Sequence, residues 1–560
     1  MDRVLPFNRI CYDLSMVKQK IETALKQAVA EMGYHLDDIV CDISQNPSFG
    51  DYTSNIPLQL AKSKTVENKQ SPLMIAKELG VRVKGAESSG EWLNKVEVAG
   101  AGFLNFFIKP EILAQDLAEI LKKGSQFGKN NLGVDKKVQV EFISANPTGP
   151  LTLANGRGGA LGDALANILI YSGYSVEREF YVNDTGNQVR LLGASVKAAA
   201  GVIEPAENHY QGGYIKDLIG PFQDKLDLAD LELGYLVADY LLERQMKPAI
   251  ERLGVHFDEF YSERSLHNSN KLDQVLNLLR EKQLLYEKDG AIWFKSTQFA
   301  DDKDRVLVTS EVETGQKRPT YYLTDIAYHI EVFSEGFYKK INLWGADHHS
   351  YAIRFKGVME ALGYKDRLDV ILMQMVKLYK EGKEVKMSKR AGNFVTLDEL
   401  LDQVSQDVAR FFFLMYAPNS HINFNLDLAQ EASQKNPVYF VQYAHARMSG
   451  ILEKGVGIQS MGYSAERLGL LVDPYETALI KHLLGFPGLV ESIAKSYKVH
   501  SLTEYCIALA DLFHKFYEYC PVLNTQNEEL KTSRSSLVQA AQTVLANALG
   551  LMGISAPHKM

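Results

Sequence analysis

The chain is poor in the features that would mark a membrane, secreted or metal-clustered protein. In 560 residues there is no apolar run of the ~18 residues that a spanning helix needs, so no membrane segment is expected. Four cysteines (Cys11, Cys41, Cys506, Cys520) lie far apart with no CxxC pair. That excludes a structural zinc site and a disulfide framework as expectations, leaving buried free thiols. The opening stretch, MDRVLPFNRICYDLSM, lacks the apolar core and small-residue cleavage site of a signal peptide, so the cytoplasm is the expected location. No repeat and no low-complexity tract stands out. An excess of positive charge is absent too: the formal net charge is −8. A field of that sign does not advertise nucleic-acid binding, yet a local basic stripe is enough for backbone contacts, so charge leaves the partner open.

What is present is an ordinary globular composition, 46% apolar and 23% charged, in a chain long enough for roughly three or four domains. Helical periodicity runs over Leu14–Met32, and AGFLNFFI (101–108) alternates like a half-buried strand. A polar, Gly/Asn/Lys-rich stretch near 122–137 reads as a boundary. Beyond it, Val138–Ile143 reads as a strand, followed by a turn (Asn146–Pro150), glycines, a helix pattern over Ala160–Tyr171 and a strand over Glu177–Val182. This strand–glycine turn–helix–strand unit opens a doubly wound α/β domain. The logic recurs in strands at Lys340–Trp344 and Leu368–Leu372 around a helix at Ala352–Leu362, after a mainly helical insertion at about 185–300. From Ser405 onward, amphipathic stretches at Leu428–Leu452, Tyr475–Tyr497 and Leu537–Leu551 predict a helical bundle.

Two motifs carry chemistry. GRGGALG (156–162) sits between a strand and a helix, where glycines admit a phosphate close to the backbone and a helix N-terminus offers unpaired N–H groups. Such turns also serve packing, so the motif alone leaves both readings open. KMSKR (386–390), followed by AlaGlyAsn, puts three cations in five residues beside a glycine. That suits a mobile loop gripping a triphosphate, the alternative being a solvated basic surface loop.

Together they resemble the signatures of class I aminoacyl-tRNA synthetases, and specifically of the arginyl-tRNA synthetase family. SANPTGPL (144–151) resembles the lead-in to that family's first nucleotide motif and KMSKRAGNFVTL (386–397) its second. The likeness continues in family order through GDYTSN (50–55), YVNDTGNQVRLLG (181–193), YSERSL (261–266) and YYLTDIAYH (321–329). It extends through NLWGADHHSY (342–351), DVARFFFL (407–414), KNPVYFVQYAHAR (435–447), LFHKFY (512–517) and GISAP (553–557).

The resemblance implies a multidomain α/β protein. An α+β N-terminal added domain (1–110) touches the tRNA elbow. A Rossmann-like, doubly wound parallel-sheet catalytic domain with a helical insertion follows (111–404), then an all-α anticodon-binding bundle (405–560). It implies a two-step reaction on ATP, L-arginine and tRNA(Arg): arginyl-adenylate and pyrophosphate form, then the arginyl group passes to the terminal ribose, first on its 2′-OH, and AMP leaves. Bound tRNA is usually needed for the first step. Mg²⁺ is expected with ATP, with no dedicated protein cage, and a monomer is the family's usual state.

By the same resemblance Lys386 and Lys389 clamp the departing pyrophosphate, with Met387 against the nucleotide and Ser388 a neighbouring donor. Thr152, Ala154, Asn155, Gly156, Gly158, Gly159 and His348 border ATP. Asp325 and Glu141 receive the guanidinium beside Tyr321, a planar fork that wants carboxylates. Ser144, Asn146 and Gln374 hold the rest of the amino acid. Tyr443 and Arg447, sharing one helix face, stack on anticodon bases, whereas His445 between them does not share that face.

One departure stands out. Where the family has His-x-Gly-His, this chain has Thr152-Leu153-Ala154-Asn155. Thr and Asn can still donate hydrogen bonds, although losing one placed donor costs about 10²–10³ in rate. The substitution motivates an alternative, a catalytically silent tRNA-binding paralogue. A ligase for another amino acid is disfavoured because buried Asp325 and Glu141 would then lack a cation.

Overall fold

The structure is a computed structural model and describes residues 16–36, 39, 41–44, 49–62, 70–267, 269–299, 301–310, 318–385, 395–455 and 464–560. They fall into two compact units, one of Asn131–Ala432 with Met552–Ile554, the other of Met1–Asn130, Ser433–Leu551 and Ser555–Met560.

The first unit is built on five parallel strands: β1 (Lys137–Glu141), β2 (Ser175–Val182), β3 (Glu259–Ser262), β4 (Lys339–Gly345) and β5 (Leu368–Met373). Their order is β5-β4-β1-β2-β3, so the direction of winding reverses between β1 and β4. In such sheets ligands bind outside the carboxyl ends of the strands at that reversal. Val138, Gln139, Val140 and Glu141 are all buried, as a central parallel strand covered on both faces requires. Helix α1 (Leu153–Tyr171) crosses from β1 to β2, α2 (Gly186–Ala199) follows β2, α3 (Tyr321–Ser334) precedes β4, and α4 (His349–Ala361) joins β4 to β5.

The expected α/β frame is therefore present, with strand ends within a few residues of those read from the sequence. The insertion is less purely helical than expected. After helices down to Glu281 it carries an antiparallel sheet of Leu285–Lys288, Ala291–Phe294 and Arg305–Val308. Asp289 and Gly290 both adopt positive φ (52° and 76°), the two-residue hairpin turn that Asp-Gly favours. Residues 405–432, expected with the C-terminal bundle, pack in this first unit because Ile422–Asn425 pairs in parallel with Val376–Lys380.

In the other unit, four antiparallel strands run in the order Asp42–Ile43, Tyr52–Ser54, Phe103–Ile108, Leu93–Ala99, so AGFLNFFI does form a strand. Asp51 accepts from the Ile108 N–H at 2.5 Å and pairs with Lys481. The C-terminal helices include Pro437–Lys454, Ser501–Tyr519 and Glu528–Leu551. The stretch expected as one helix over Tyr475–Tyr497 is two, Pro474–Leu484 and Phe486–Ser496, parted at Gly485 before Pro487. Cys41, Cys506 and Cys520 are buried and in no disulfide among the described residues; Cys11 lies outside the described residues.

The fold positions its cleft by a close approach of α1 to the end of β1. A methyl group at Gly162 would stand 2.2 Å from the Phe142 ring, and one at Gly159 would stand 3.0 Å from Ile143 Cδ1. Gly162→Ala is therefore expected to destabilise the first unit by about 1–3 kcal/mol or more, as overpacking does. Thermal unfolding of the full chain measures this; an unchanged melting temperature would show that α1 can shift away from the sheet freely.

Candidate active site

β1 ends at Glu141, and the backbone then bends through two non-glycine residues of positive φ, Ile143 (66°) and Ser144 (40°). Such strain concentrates at functional sites because surrounding contacts must over-determine it. Here the contacts are visible. Ser144 Oγ donates to Glu141 Oε1 at 3.1 Å and accepts the Tyr181 N–H at 3.2 Å. Tyr328 Oη donates to Glu141 Oε2 at 3.1 Å, and the ammonium of the fully buried Lys340 stands 3.0 Å from the same oxygen. Glu141 is thus a buried carboxylate held from three sides at a carboxyl strand end.

Facing it is one stripe of α3. Tyr321, Asp325 and Tyr328 lie at i, i+4 and i+7, which puts them on one helix face. Tyr351 from α4 donates to Asp325 Oδ2. Burial pushes the Asp325 carboxyl up to about 7, opposed by the Tyr351 hydrogen bond and reinforced by the nearby Glu263 and Glu141 charges. Next to it His329 makes a 2.8 Å Nδ1 contact with the Asp325 carbonyl, while its Nε2 meets Asn342 Nδ2 at 2.9 Å. Burial lowers its pKa well below the ordinary histidine value, so it is a neutral strut that fixes the helix turn carrying Asp325. Tyr321 is 58% exposed, with its hydroxyl 3.1 Å from where a Cβ on Gly186 would lie, at the start of α2.

The third wall is the beginning of α1. Asn155 Oδ1 accepts both the Thr152 N–H (2.9 Å) and the Thr152 hydroxyl (2.8 Å), capping the helix. That leaves the Asn155 amide NH₂ without a partner among the described residues, a donor at a helix N-terminus. Ala154 is exposed at the same turn. Gly156, Gly158 and Gly159 are buried inside the helix: methyls on them would meet Leu397 (2.7 Å), Met373 (3.1 Å) and Ile143 (3.0 Å). The glycines thus meet the packing reading of their motif directly.

Lys386, Met387, Ser388 and Lys389 lie outside the described residues. The backbone just beyond them does not: Leu397 N–H donates to the Leu151 carbonyl at 2.8 Å, and Thr396 bridges Thr152 as an antiparallel pair. Gln374 follows β5 half-buried, its N–H donating to the Pro418 carbonyl at 2.9 Å. His348 is exposed after β4, its ring 6.0 Å from Trp344 and 6.2 Å from Tyr351. Asn146 donates to Gln188 Oε1 at the α2 side. In the other unit Arg447 lies over the Tyr443 and Tyr517 rings at 5.9 and 4.5 Å, while His445 is buried against the Pro557 carbonyl.

Several residues of the site were not singled out from the sequence. Arg157, 1% exposed, has no carboxylate partner among the described residues; it donates to the carbonyls of Gln374 (2.7 Å), Ser420 (3.0 Å) and Ala417 (2.8 Å) and ties α1 to the loops beside it. Lys340, Tyr328, Tyr351 and Glu263 complete the charged interior. A lysine inside a buried strand (KKINLWG), and a tyrosine three residues after Asp325, were the available signals. As a metal holder, Glu177, Glu179 and Glu259 offer oxygens within 4.8 Å of one another. However, Lys137 pairs with Glu177 and Lys340 with Glu179, each at 3.3 Å, so their charge is largely met.

Comparison with known proteins gives a consistent answer along the chain. Residues 15–108 match the arginyl tRNA synthetase N terminal domain, 116–224 the catalytic domain of class I (R) tRNA synthetases, and 441–560 the DALR anticodon binding domain. Arginine–tRNA ligase 1 of Halalkalibacterium halodurans is 40% identical over 97% of this chain and 98% of its own length. The arginine–tRNA ligase of Moorella thermoacetica is 41% identical over 97% and 99%. The solved Thermus thermophilus arginyl-tRNA synthetase, 24% identical, shares the fold with a TM-score of 0.76 over 97% of this chain and all of that one.

A carboxyl held near 7 binds a guanidinium only in its charged form. Free arginine is therefore expected to bind about tenfold more tightly at about pH 8 than at about pH 6, as Asp325 loses its proton across that range. Calorimetric titration at both values checks this, and Asp325→Asn should abolish the dependence together with most of the binding. A flat profile in the unaltered chain would remove Asp325 from the site.

Proposed function

The chain belongs to the arginyl-tRNA synthetase family, and from that premise we propose how its own residues carry the reaction. It is a class I arginine–tRNA ligase: ATP and arginine give arginyl-adenylate and pyrophosphate, and the arginyl group then passes to tRNA with release of AMP. The observation that supports the residue roles best is the facing pair Glu141 and Asp325, two held carboxylates at the sheet's winding reversal. A planar cation with five donors suits such a pair, whereas an apolar or anionic side chain would leave the carboxylates unpaired or repelled.

Arginine's guanidinium lies between Asp325 and Glu141 under Tyr321, with Ser144, Asn146 and Gln374 toward its α-amino and carboxylate end. ATP lies along the start of α1. Thr152, Ala154 and Asn155 border it, with Gly156, Gly158 and Gly159 behind and His348 at the rim. Negative charge gathers on the non-bridging oxygens of the α-phosphate as arginine's carboxylate attacks, so placed donors and cations are the main resource. The unpartnered Asn155 amide is one such donor. Lys386 and Lys389, with Met387 and Ser388, act on the departing pyrophosphate from the segment whose far end is tied to Leu151 and Thr152. Mg²⁺ travels with ATP.

The N-terminal added domain (1–110) contacts the tRNA elbow, and the C-terminal bundle reads the anticodon with Tyr443 and Arg447. No helix among the described residues is long and apolar enough to cross a membrane; the chain acts as a cytoplasmic monomer. The silent-paralogue alternative rests on Thr152–Asn155 alone, and close relatives named as ligases over nearly the whole chain favour the active enzyme.

With tRNA, ATP and Mg²⁺, charging is expected with arginine and with no other amino acid of a full panel. Asp325→Ala should lose arginine use far more than tRNA binding; equal losses would count against its role. Asn155→Asp keeps the oxygen that caps α1 but removes the donor. It should slow adenylate formation by about 10²–10³ with little change in melting temperature. A normal rate in that variant would show that no phosphate contact comes from position 155.

A further inference from the structure

We propose that Lys340, sealed in β4 behind the guanidinium site, is a positioning residue for arginine selection, its ammonium keeping the Glu141 carboxylate charged and aimed before arginine arrives. The proposal rests on the reading of Glu141 as a guanidinium contact.

The hydrogen count carries it. Lys340 is 0% exposed and has three protons to give. They go to Gln139 Oε1, to Glu179 Oε1 at 3.3 Å and to the Tyr328 hydroxyl at 2.6 Å. Because the Tyr328 oxygen accepts from Lys340, its own proton is directed to Glu141 Oε2, 3.1 Å away. The ammonium stands closer to Glu141 (3.0 Å) than to Glu179 (3.3 Å), so it is not merely the counter-ion of the deeper acid. With Ser144 on the other oxygen, hydrogen bonds take two of the roughly four lone-pair positions of Glu141, the ammonium stands beside Oε2 as a charge, and the rest are left for an incoming donor.

Among the described residues, the surroundings leave no substitute for this cation. Around Glu141 and Lys340 stand Gln139 from β1, Glu177, Glu179 and Tyr181 from β2, and Glu259 and Tyr261 from β3. Glu263 follows β3, Asp325, Tyr328 and His329 come from α3, and Asn342 from β4 itself. His329 is held neutral by burial, Lys137 pairs with Glu177, and Lys339 pairs with Asp369 at 2.6 Å. A buried carboxylate with no cation beside it takes up a proton rather than remain charged. Glu179 illustrates the tendency: burial pushes it up to about 7 even with Lys340 in contact.

The test is arginine charging of tRNA by the full chain, with KM for arginine and kcat followed across pH. Lys340→Met keeps the stem and removes the charge. It should raise the arginine KM about tenfold near neutrality, leave kcat within about twofold, and move the KM profile toward higher pH, as removing the one cation beside buried carboxylates does. Glu179→Gln removes the competing acid and should move the profile the opposite way. If Lys340→Met folds, as its melting curve shows, and keeps the wild-type profile, the proposal is overturned. If it does not fold, an unshifted profile in Glu179→Gln overturns it. Glu141→Gln separates the two levels: an unchanged arginine KM there would sink the guanidinium reading of Glu141 itself, whereas a raised KM with no shift in the other variants sinks only the role of Lys340.

Discussion

The whole cleft depends on how near α1 lies to the end of β1. That distance is set by the absence of side chains at Gly159 and Gly162, which lets the helix rest on Ile143 and Phe142. The approach fixes where the helix begins, and so where Thr152 and Asn155 stand relative to Glu141 eleven or more residues earlier in the chain. Arg157 then fastens the first turns to three carbonyls on the far side. A glycine motif that resembles a phosphate-binding turn is here the packing element that sets where the helix begins.

Around that frame the site is built from surplus negative charge. Glu141, Asp325 and Glu263 stand close enough to act on one another, with Lys340 only partly neutralising them, and Glu263 Oε2 and the Tyr181 hydroxyl are buried with no partner among the described residues. An interior like this is costly when empty and is relieved by a cation. On the proposed roles, selectivity for arginine follows from what these acids lack, since a neutral occupant leaves the carboxylates unanswered.

The α/β frame was legible because its strands are short β-rich runs set apart by turn residues, and because one lead-in and one basic motif fall at the right places. Glu141 and Asp325, the acids proposed for the guanidinium, could be singled out from motif likeness, and in the structure each feels the charge of the other. The hairpin at Asp289-Gly290 was missed although its turn dipeptide is in plain sight, since the helices before it dominate the segment. Lys340, Arg157 and Tyr351 were missed for a different reason. Each acts through a partner more than 100 residues away or on another element, and periodicity carries no information about such pairings. Residues 405–432 belong with the catalytic unit through one parallel strand pair, which a run of helical pattern conceals.

The antiparallel bridge between Thr152 and Thr396 has a consequence for how this enzyme could drift in sequence. Both nucleotide motifs meet there through main-chain atoms, which every amino acid possesses. Side chains at the rim can therefore be exchanged while the rim itself stays in place, and a pair of imidazoles can give way to a hydroxyl and an amide without the cleft losing its outline.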